Sequence, residues 1–569
     1  MFFFAVLLGT LAGSCAASCV AGCDPGSRVS SAPLVQLECG TFQGFSANST
    51  DSFLGIPFAQ PPVGTLRFRH PLPPKTQPGV QNATMFSNAC PQQSNLSPGQ
   101  SVPTIPGLNV SSILSSSLNV NVSEDCLYLN VIRPSNISDG HKIPVVVWIY
   151  GGGFATGTTA SFDGAPIVER SVALGEPIIY VSMNYRLNAF GFLAGEEVQD
   201  AGIGNLGLHD QRFALQWVQK HISLFGGDPS KVIIWGESAG SVSVIDQILT
   251  NDGENDGLFR GAVMESGFSQ PTSDITAGQP IYDHLVASTN CTTASSTLEC
   301  LRAAPYDALM RAVDSTPSIF SYSSLDLTWP PRVDGIFLKR TPRESLEAGQ
   351  YAQVPIIGSD CDDEATLFSL FSTNVTTNET FIEYVREKYL VGTNDTDLAQ
   401  VAAAYPEDPS EGSPFDTGDD NTVTPEFKRI AAFQGDFLFQ APRRQMFSVM
   451  SQTKPVWSFL FKRGKDTPVL GAYHSSDLQE FYVTTSRPDY AGTDALINFA
   501  YNLDPNTPPN ITSNSVLANV TWPQWTRGTG DASPQLLSFE NETDLAIRSD
   551  DYRQEAMELL SSLTAKLGL

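Results

Sequence analysis

Six short apolar runs limit what this 569-residue chain can fold into more than any other feature. They are Ile143 to Tyr150, Pro177 to Met183, Val232 to Trp235, Ala262 to Glu265, Val354 to Gly358 and Val456 to Phe461. Each is nearly continuous, and most are rich in β-branched residues, whereas a half-exposed strand would alternate apolar with polar. Strands that are apolar on both faces belong in a sheet covered by helices on both sides. Leu208 to Ile222 lies between two of the runs and has helical spacing, and Glu555 to Leu569 also reads as a helix. The alternation predicts an α/β protein with a large, mostly parallel central sheet.

Composition narrows the function classes. With 33 basic and 60 acidic side chains the net charge is −27, which argues against a nucleic-acid partner and against docking on anionic lipid by charge. At ~150 residues per domain the length suggests three or four domains. No repeat appears, however, and the best linker candidate, the acidic stretch Pro406 to Thr422, is explained equally well as a surface loop. Phe2 to Leu11 is a short apolar run followed by small residues, which predicts a secretory signal peptide over residues 1–17. Spanning a bilayer takes roughly 20 residues, and no later segment is apolar and long enough to be an integral membrane segment. Asn-x-Ser/Thr sequons recur from Asn48 to Asn541, and nine cysteines are present. Both fit an extracellular, disulfide-bonded glycoprotein. Cys291 and Cys300 could close a small loop and Cys90 and Cys126 a large one, but counting alone does not assign pairs.

The chemistry gathers at one junction. Val232 to Trp235 runs into Gly236-Glu237-Ser238-Ala239-Gly240 and then into an apolar stretch ending at Leu249. This is G-x-S-x-G between a strand and a helix, the setting that exposes a nucleophilic serine on a sharp turn. Gly151-Gly152-Gly153 follows the strand Ile143 to Tyr150, and such a turn lets backbone N–H groups join the Ala239 amide in an oxyanion hole. A base must follow the serine, and of six histidines only His284 and His474 do so. His284 has the spacing of an ordinary helix residue, whereas His474 sits in a loop after the strand Val456 to Phe461, where catalytic residues collect. The acid should lie between serine and histidine after a strand, and position alone leaves Asp360, Asp362, Asp363 and Glu364 open.

These motifs resemble the type-B carboxylesterase/lipase family of α/β-hydrolases, and its fungal lipase and sterol esterase branch in particular. The resemblance rests on Gly55 to Ala59 with Leu66 to Phe68, Glu124 to Val131, Asn184 to Arg186 with Gly191 to Leu193, Gly207 to Trp217, Phe225 to Pro229 and Gly236 to Val244. It covers roughly Pro33 to the C-terminus. It implies a single α/β-hydrolase catalytic domain over residues 18–569, with Ser238 as nucleophile, Glu364 as acid and His474 as base. It also implies oxyanion donors at Gly152, Gly153 and Ala239, disulfides Cys90–Cys126 and Cys291–Cys300, and no metal or cofactor. Ala365 stands where the family more usually has Gly, and Tyr150 where it has His or Phe.

The substrate signal lies between Cys90 and Cys126. Residues 91–125 contain no aromatic residue, whereas cholinesterase-like relatives hold the choline cation there by cation–π contact. Val110, Ile113, Leu114 and Leu118 instead form an apolar stripe at helical spacing, with Asn109, Ser112 and Ser116 facing away. The segment resembles the movable lid of the family's fungal lipases and sterol esterases. The expected activity is therefore secreted hydrolysis of long-chain lipid esters at an interface. A general carboxylesterase acting on soluble short-chain esters is one alternative. A catalytically dead binding or adhesion protein on the same scaffold is the other, and the complete Ser238/Glu364/His474 set speaks against it.

Overall fold

The computed structural model describes residues 32–568 except 98, 115–119, 136, 138–139, 483–488, 509–513, 529–532 and 542. The signal peptide expected over residues 1–17, together with Cys15, Cys19 and Cys23, lies outside the described residues.

Eleven strands form one sheet. In chain order they are β1 Phe45–Ala47, β2 Thr50–Pro57, β3 Tyr128–Pro134, β4 Ile143–Ile149, β5 Ile179–Met183 and β6 Gly227–Glu237. The remainder are β7 Gly261–Glu265, β8 Ile356–Cys361, β9 Val456–Phe461, β10 Gln535–Phe539 and β11 Leu545–Ser549. Across the sheet the order is β11-β10-β9-β8-β7-β6-β4-β5-β3-β2-β1. Neighbours from β10 to β5 run parallel. The sheet is mixed because β11 at one edge and β3, β2 and β1 at the other pair antiparallel.

All six apolar runs became central strands. In β4, β5, β7, β8 and β9 every residue is buried, so both faces are covered. The helices Ala165–Leu174, Leu206–His221, Ala239–Leu249 and Ala491–Asn502 supply much of that cover. Trp148 of β4 and Trp235 of β6, both fully buried, meet at 4.3 Å between ring centroids.

Pro33–Leu569 is a single compact unit, which corrects the length-based expectation of three or four domains. Pro406 to Thr422 does not divide it, for Ser413 and Phe415 donate hydrogen bonds to Asp363 just past the end of β8. Both disulfides are present, Cys90–Cys126 and Cys291–Cys300. Among the described residues no helix is long and apolar enough to cross a membrane.

A buried ion network ties the far end of the chain to the sheet. Arg443, fully buried, donates to Asp360 on β8 at 2.7 Å and to Asp550 at 2.6 and 2.9 Å, and Trp525 Nε1 also donates to Asp550. Removing one partner strands a charge in the core. Asp550→Asn is therefore expected to lower stability by about 3–5 kcal/mol, read as a drop in the urea midpoint; an unchanged midpoint would contradict this.

Candidate active site

Ser238 stands between the end of β6 and the helix Ala239–Leu249 with φ 56° and ψ −126°. This is a region that residues with a side chain normally avoid, so the turn needs support from its surroundings. Two glycines make it possible. A Cβ on Gly240 would sit 2.0 Å from the Ile149 carbonyl oxygen, and one on Gly236 would sit 2.3 Å from the Gly240 carbonyl oxygen. The Ser238 N–H donates to the Glu265 carbonyl of β7 at 2.8 Å, which ties the turn to the sheet.

The glycine turn after β4 lies directly against the serine. A Cβ on Gly151 would come within 2.7 Å of Ser238 Cβ. Gly152 and Gly153 hold φ of 107° and 60°, and a side chain on Gly153 would strike Ile319. Tyr150, the family departure, is locked under the turn: its ring stacks on Tyr185, and the Tyr185 hydroxyl donates to the Tyr150 carbonyl at 2.8 Å.

The loop after β9 brings His474 to this turn. Its Nε2 is 2.8 Å from Ser238 Oγ, and its Nδ1 is 2.5 Å from Glu364 Oε2. The other Glu364 oxygen accepts the Cys361 N–H at 2.7 Å. The rings of Phe368 and Phe439 lie against the imidazole at 5.2 and 5.1 Å. A hydroxyl, an imidazole and a carboxylate in this chain of contacts can move the hydroxyl proton onto nitrogen while the acid steadies the resulting charge.

A model of the carboxylesterase family matches residues 31–558. The chain belongs to the carboxylesterase family. It is a carboxylic ester hydrolase. Lipase 4 of Diutina rugosa is 42% identical over 544 residues, covering 94% of this chain and 96% of that protein. The secreted triacylglycerol lipase LIP1 of Gibberella zeae is 40% identical, covering 93% of this chain and 90% of that protein. The crystal structure of Aspergillus niger EstA superposes with a TM-score of 0.79 at 26% identity, covering 95% of this chain and 99% of that one.

Of the four acids that sequence position left open in this carboxylesterase, only Glu364 touches His474. Asp360 is held by Arg443, Asp362 by Lys465 and Lys462, and Asp363 by Lys465 and the Ala472 N–H. His284 is exposed on the helix Gln279–Ser288 and contacts Ser315, away from the serine.

The segment enclosed by Cys90–Cys126 lies over the same neighbourhood. Its helix Val110–Leu114 buries Val110 and Leu114 against Leu367, Leu370, Phe371, Phe427 and Leu470. Asn109 and Ser112 are exposed on the outer side; Ser116 and Leu118 lie outside the described residues. Asn109 and Asn121 expose their sequons, whereas the Asn95 side chain donates to the Leu114 carbonyl at 2.7 Å.

Sequence reasoning missed two buried carboxyls beside the imidazole, Glu237 and Asp477, and a third, Glu265, that faces those two. Glu237, the second residue of G-x-S-x-G, has Oε1 3.3 Å from His474 Nε2 and accepts the Ser475 hydroxyl. The signal for it was its place beside the serine. Burial pushes Glu364 up to about 8 and Glu237 and Asp477 up to about 7. As pH falls through that range these groups take up protons, and a cation forming on His474 loses its counter-charge. The kcat/KM for a soluble ester is therefore expected to rise with pH through about 7 to 8. A profile flat down into the ordinary carboxylate range would contradict this.

Proposed function

We propose that this carboxylesterase is a secreted lipase or sterol esterase that cleaves long-chain lipid esters through an acyl-enzyme on Ser238. The observation that carries the lipid assignment is the docked apolar stripe. Val110 and Leu114 cover Leu367, Leu370 and Phe371, which flank Phe368, the ring against His474. Lifting the segment on its Cys90–Cys126 hinge would expose two apolar faces beside the serine, an arrangement suited to a lipid surface. The net charge of −27 offers no attraction to anionic lipid, so apolar contact must supply the binding. Relatives named as secreted lipases and the apolar run at the chain's start support export. On that route Asn109 and Asn121 are open to glycosylation.

In the proposed reaction His474 Nε2 takes the Ser238 proton as Oγ attacks the ester carbonyl. Glu364 orients the imidazole and balances its charge. The developing oxyanion receives hydrogen bonds from the backbone N–H groups of Gly152, Gly153 and Ala239, each worth ~10²–10³ in rate. His474 then gives its proton to the departing alcohol, and water attacks the acyl-enzyme by the same path.

Ser238→Ala is expected to lower kcat by ~10⁵–10⁶-fold while leaving the thermal midpoint unchanged; full retention of activity would reject the nucleophile. For substrate class, a panel of p-nitrophenyl esters, emulsified triglycerides and cholesteryl esters should show a rate jump where substrate passes its solubility limit. Smooth saturation with a preference for acetate would instead mark an esterase of soluble substrates.

A further inference from the structure

The stretch that carries His474 is strained and comes from a part of the chain remote from Glu364. Between Lys465 and Ser475 the backbone turns through left-handed conformations at Val469 (φ 67°), Gly471 (φ 60°) and Ser475 (φ 68°). A β-branched residue such as Val469 rarely adopts that region, and it persists only where the surroundings over-determine it. Asn421 Oδ1 accepts the Val469 N–H at 2.8 Å and the Thr366 hydroxyl donates to the Leu470 carbonyl at 2.7 Å, while Lys465 and Ala472 on either side are held by one carboxylate, and it is not Glu364.

Asp363 is completely buried. Its Oδ2 accepts from Lys465 Nζ at 2.7 Å and from the Ala472 N–H at 2.8 Å, so one oxygen grips both ends of the loop. The pairing with Ala472 is reciprocal, since the Asp363 N–H donates to the Ala472 carbonyl at 3.0 Å. Asp363 forms a parallel bridge with Tyr473. Advancing one residue on each side of that bridge brings Glu364 beside His474. The Asp363 Oδ1 is anchored independently by the Ser413 hydroxyl at 3.1 Å and the Phe415 N–H at 2.8 Å. Lys465 also reaches Asp362 at 2.5 Å and the Phe415 carbonyl at 3.1 Å, so its three donors are all engaged. Gly471 closes the arrangement, because a Cβ there would fall 2.3 Å from Asp363 Oδ2.

We propose that Asp363, bridged by Lys465, is the positioning residue that registers the histidine-bearing loop against Glu364. This rests on the reading of Ser238, Glu364 and His474 as the reacting groups. It also gives the loop a second duty. Val469 and Leu470 form part of the floor on which Val110 and Leu114 rest. Because the carboxylate holds the loop from beneath, the histidine keeps its place whether or not that cover is present.

The test compares Asp363→Asn, Lys465→Gln and Lys465→Arg in the full chain, with Ser238→Ala as an inactive reference. A misplaced general base loses rate rather than substrate affinity. Asp363→Asn and Lys465→Gln are therefore expected to lower kcat by about 10- to 100-fold with KM within about twofold. The same fold loss should appear on a soluble acetate and on an emulsified long-chain ester, since the defect lies in the base and not in the cover. Lys465→Arg, which keeps the charge, should recover most of the kcat lost in Lys465→Gln. Arg133→Gln breaks the Arg133–Asp51 ion pair at the β2/β3 edge of the sheet. It shows what lost stability alone does, and is expected to lower the thermal midpoint with kcat unchanged. If Asp363→Asn does not fold, Lys465→Gln carries the test alone. Full kcat in Lys465→Gln beside an inactive Ser238→Ala would overturn the positioning role and leave the triad standing. A loss confined to emulsified substrate, or no recovery in Lys465→Arg, would overturn it as well. An active Ser238→Ala would instead reject the underlying triad.

Discussion

The rest of the structure depends on the turn at Ser238. A serine at φ 56° and ψ −126° is sterically expensive, and it is held only because strand, helix and neighbouring turn approach with nothing between them. Gly236 and Gly240 face each other at a distance that excludes a Cβ, and Ile149 of β4 presses on Gly240. That contact needs β4 and β6 side by side in the sheet, an adjacency built by crossing connections rather than by chain order. The parallel centre of the sheet therefore does more than fill space. It brings the glycine turn after β4, the serine after β6 and the loops after β8 and β9 to one edge.

Burial then decides how the assembled groups behave. Glu364, Glu237 and Asp477 all sit in the interior beside one imidazole, and burial disfavours charge on each of them. A carboxylate set with depressed acidity responds strongly to a cation appearing on the histidine, which is the event that an acyl-transfer reaction requires. The same dry surroundings, including the rings of Phe368 and Phe439, strengthen that response by excluding water.

Much of the fold was legible because its central strands are apolar on both faces, and the shortness and β-branched content of a run such as Ile143 to Tyr150 favour a buried strand over a buried helix. The edge strands were not. β11 exposes most of its residues, and β2 opens with Thr50, Asp51 and Ser52, which are buried but polar. The serine turn was legible through its glycines. The acid was legible from position only as a group of four, since what separates Glu364 from Asp360, Asp362 and Asp363 is the partner each one meets. Arg443, Lys465 and the Ala472 amide lie 83 to 109 residues further along the chain, and no local pattern reports contacts of that range. The apolar stripe was visible in the spacing of Val110, Ile113 and Leu114. The wall it covers, from Leu367 to Phe371 with Phe427 and Leu470, was visible only in the fold.

The central claim is that Ser238 Oγ carries the acyl group between two half-reactions. Mixing the protein with a chromogenic long-chain ester, quenching in acid during the first turnover and mapping the peptides by mass spectrometry tests it most directly. The account predicts an acyl mass on the peptide containing Ser238, appearing with the initial burst of released alcohol and absent from Ser238→Ala. Turnover with no acylated peptide, or with the acyl mass on another residue, would contradict it.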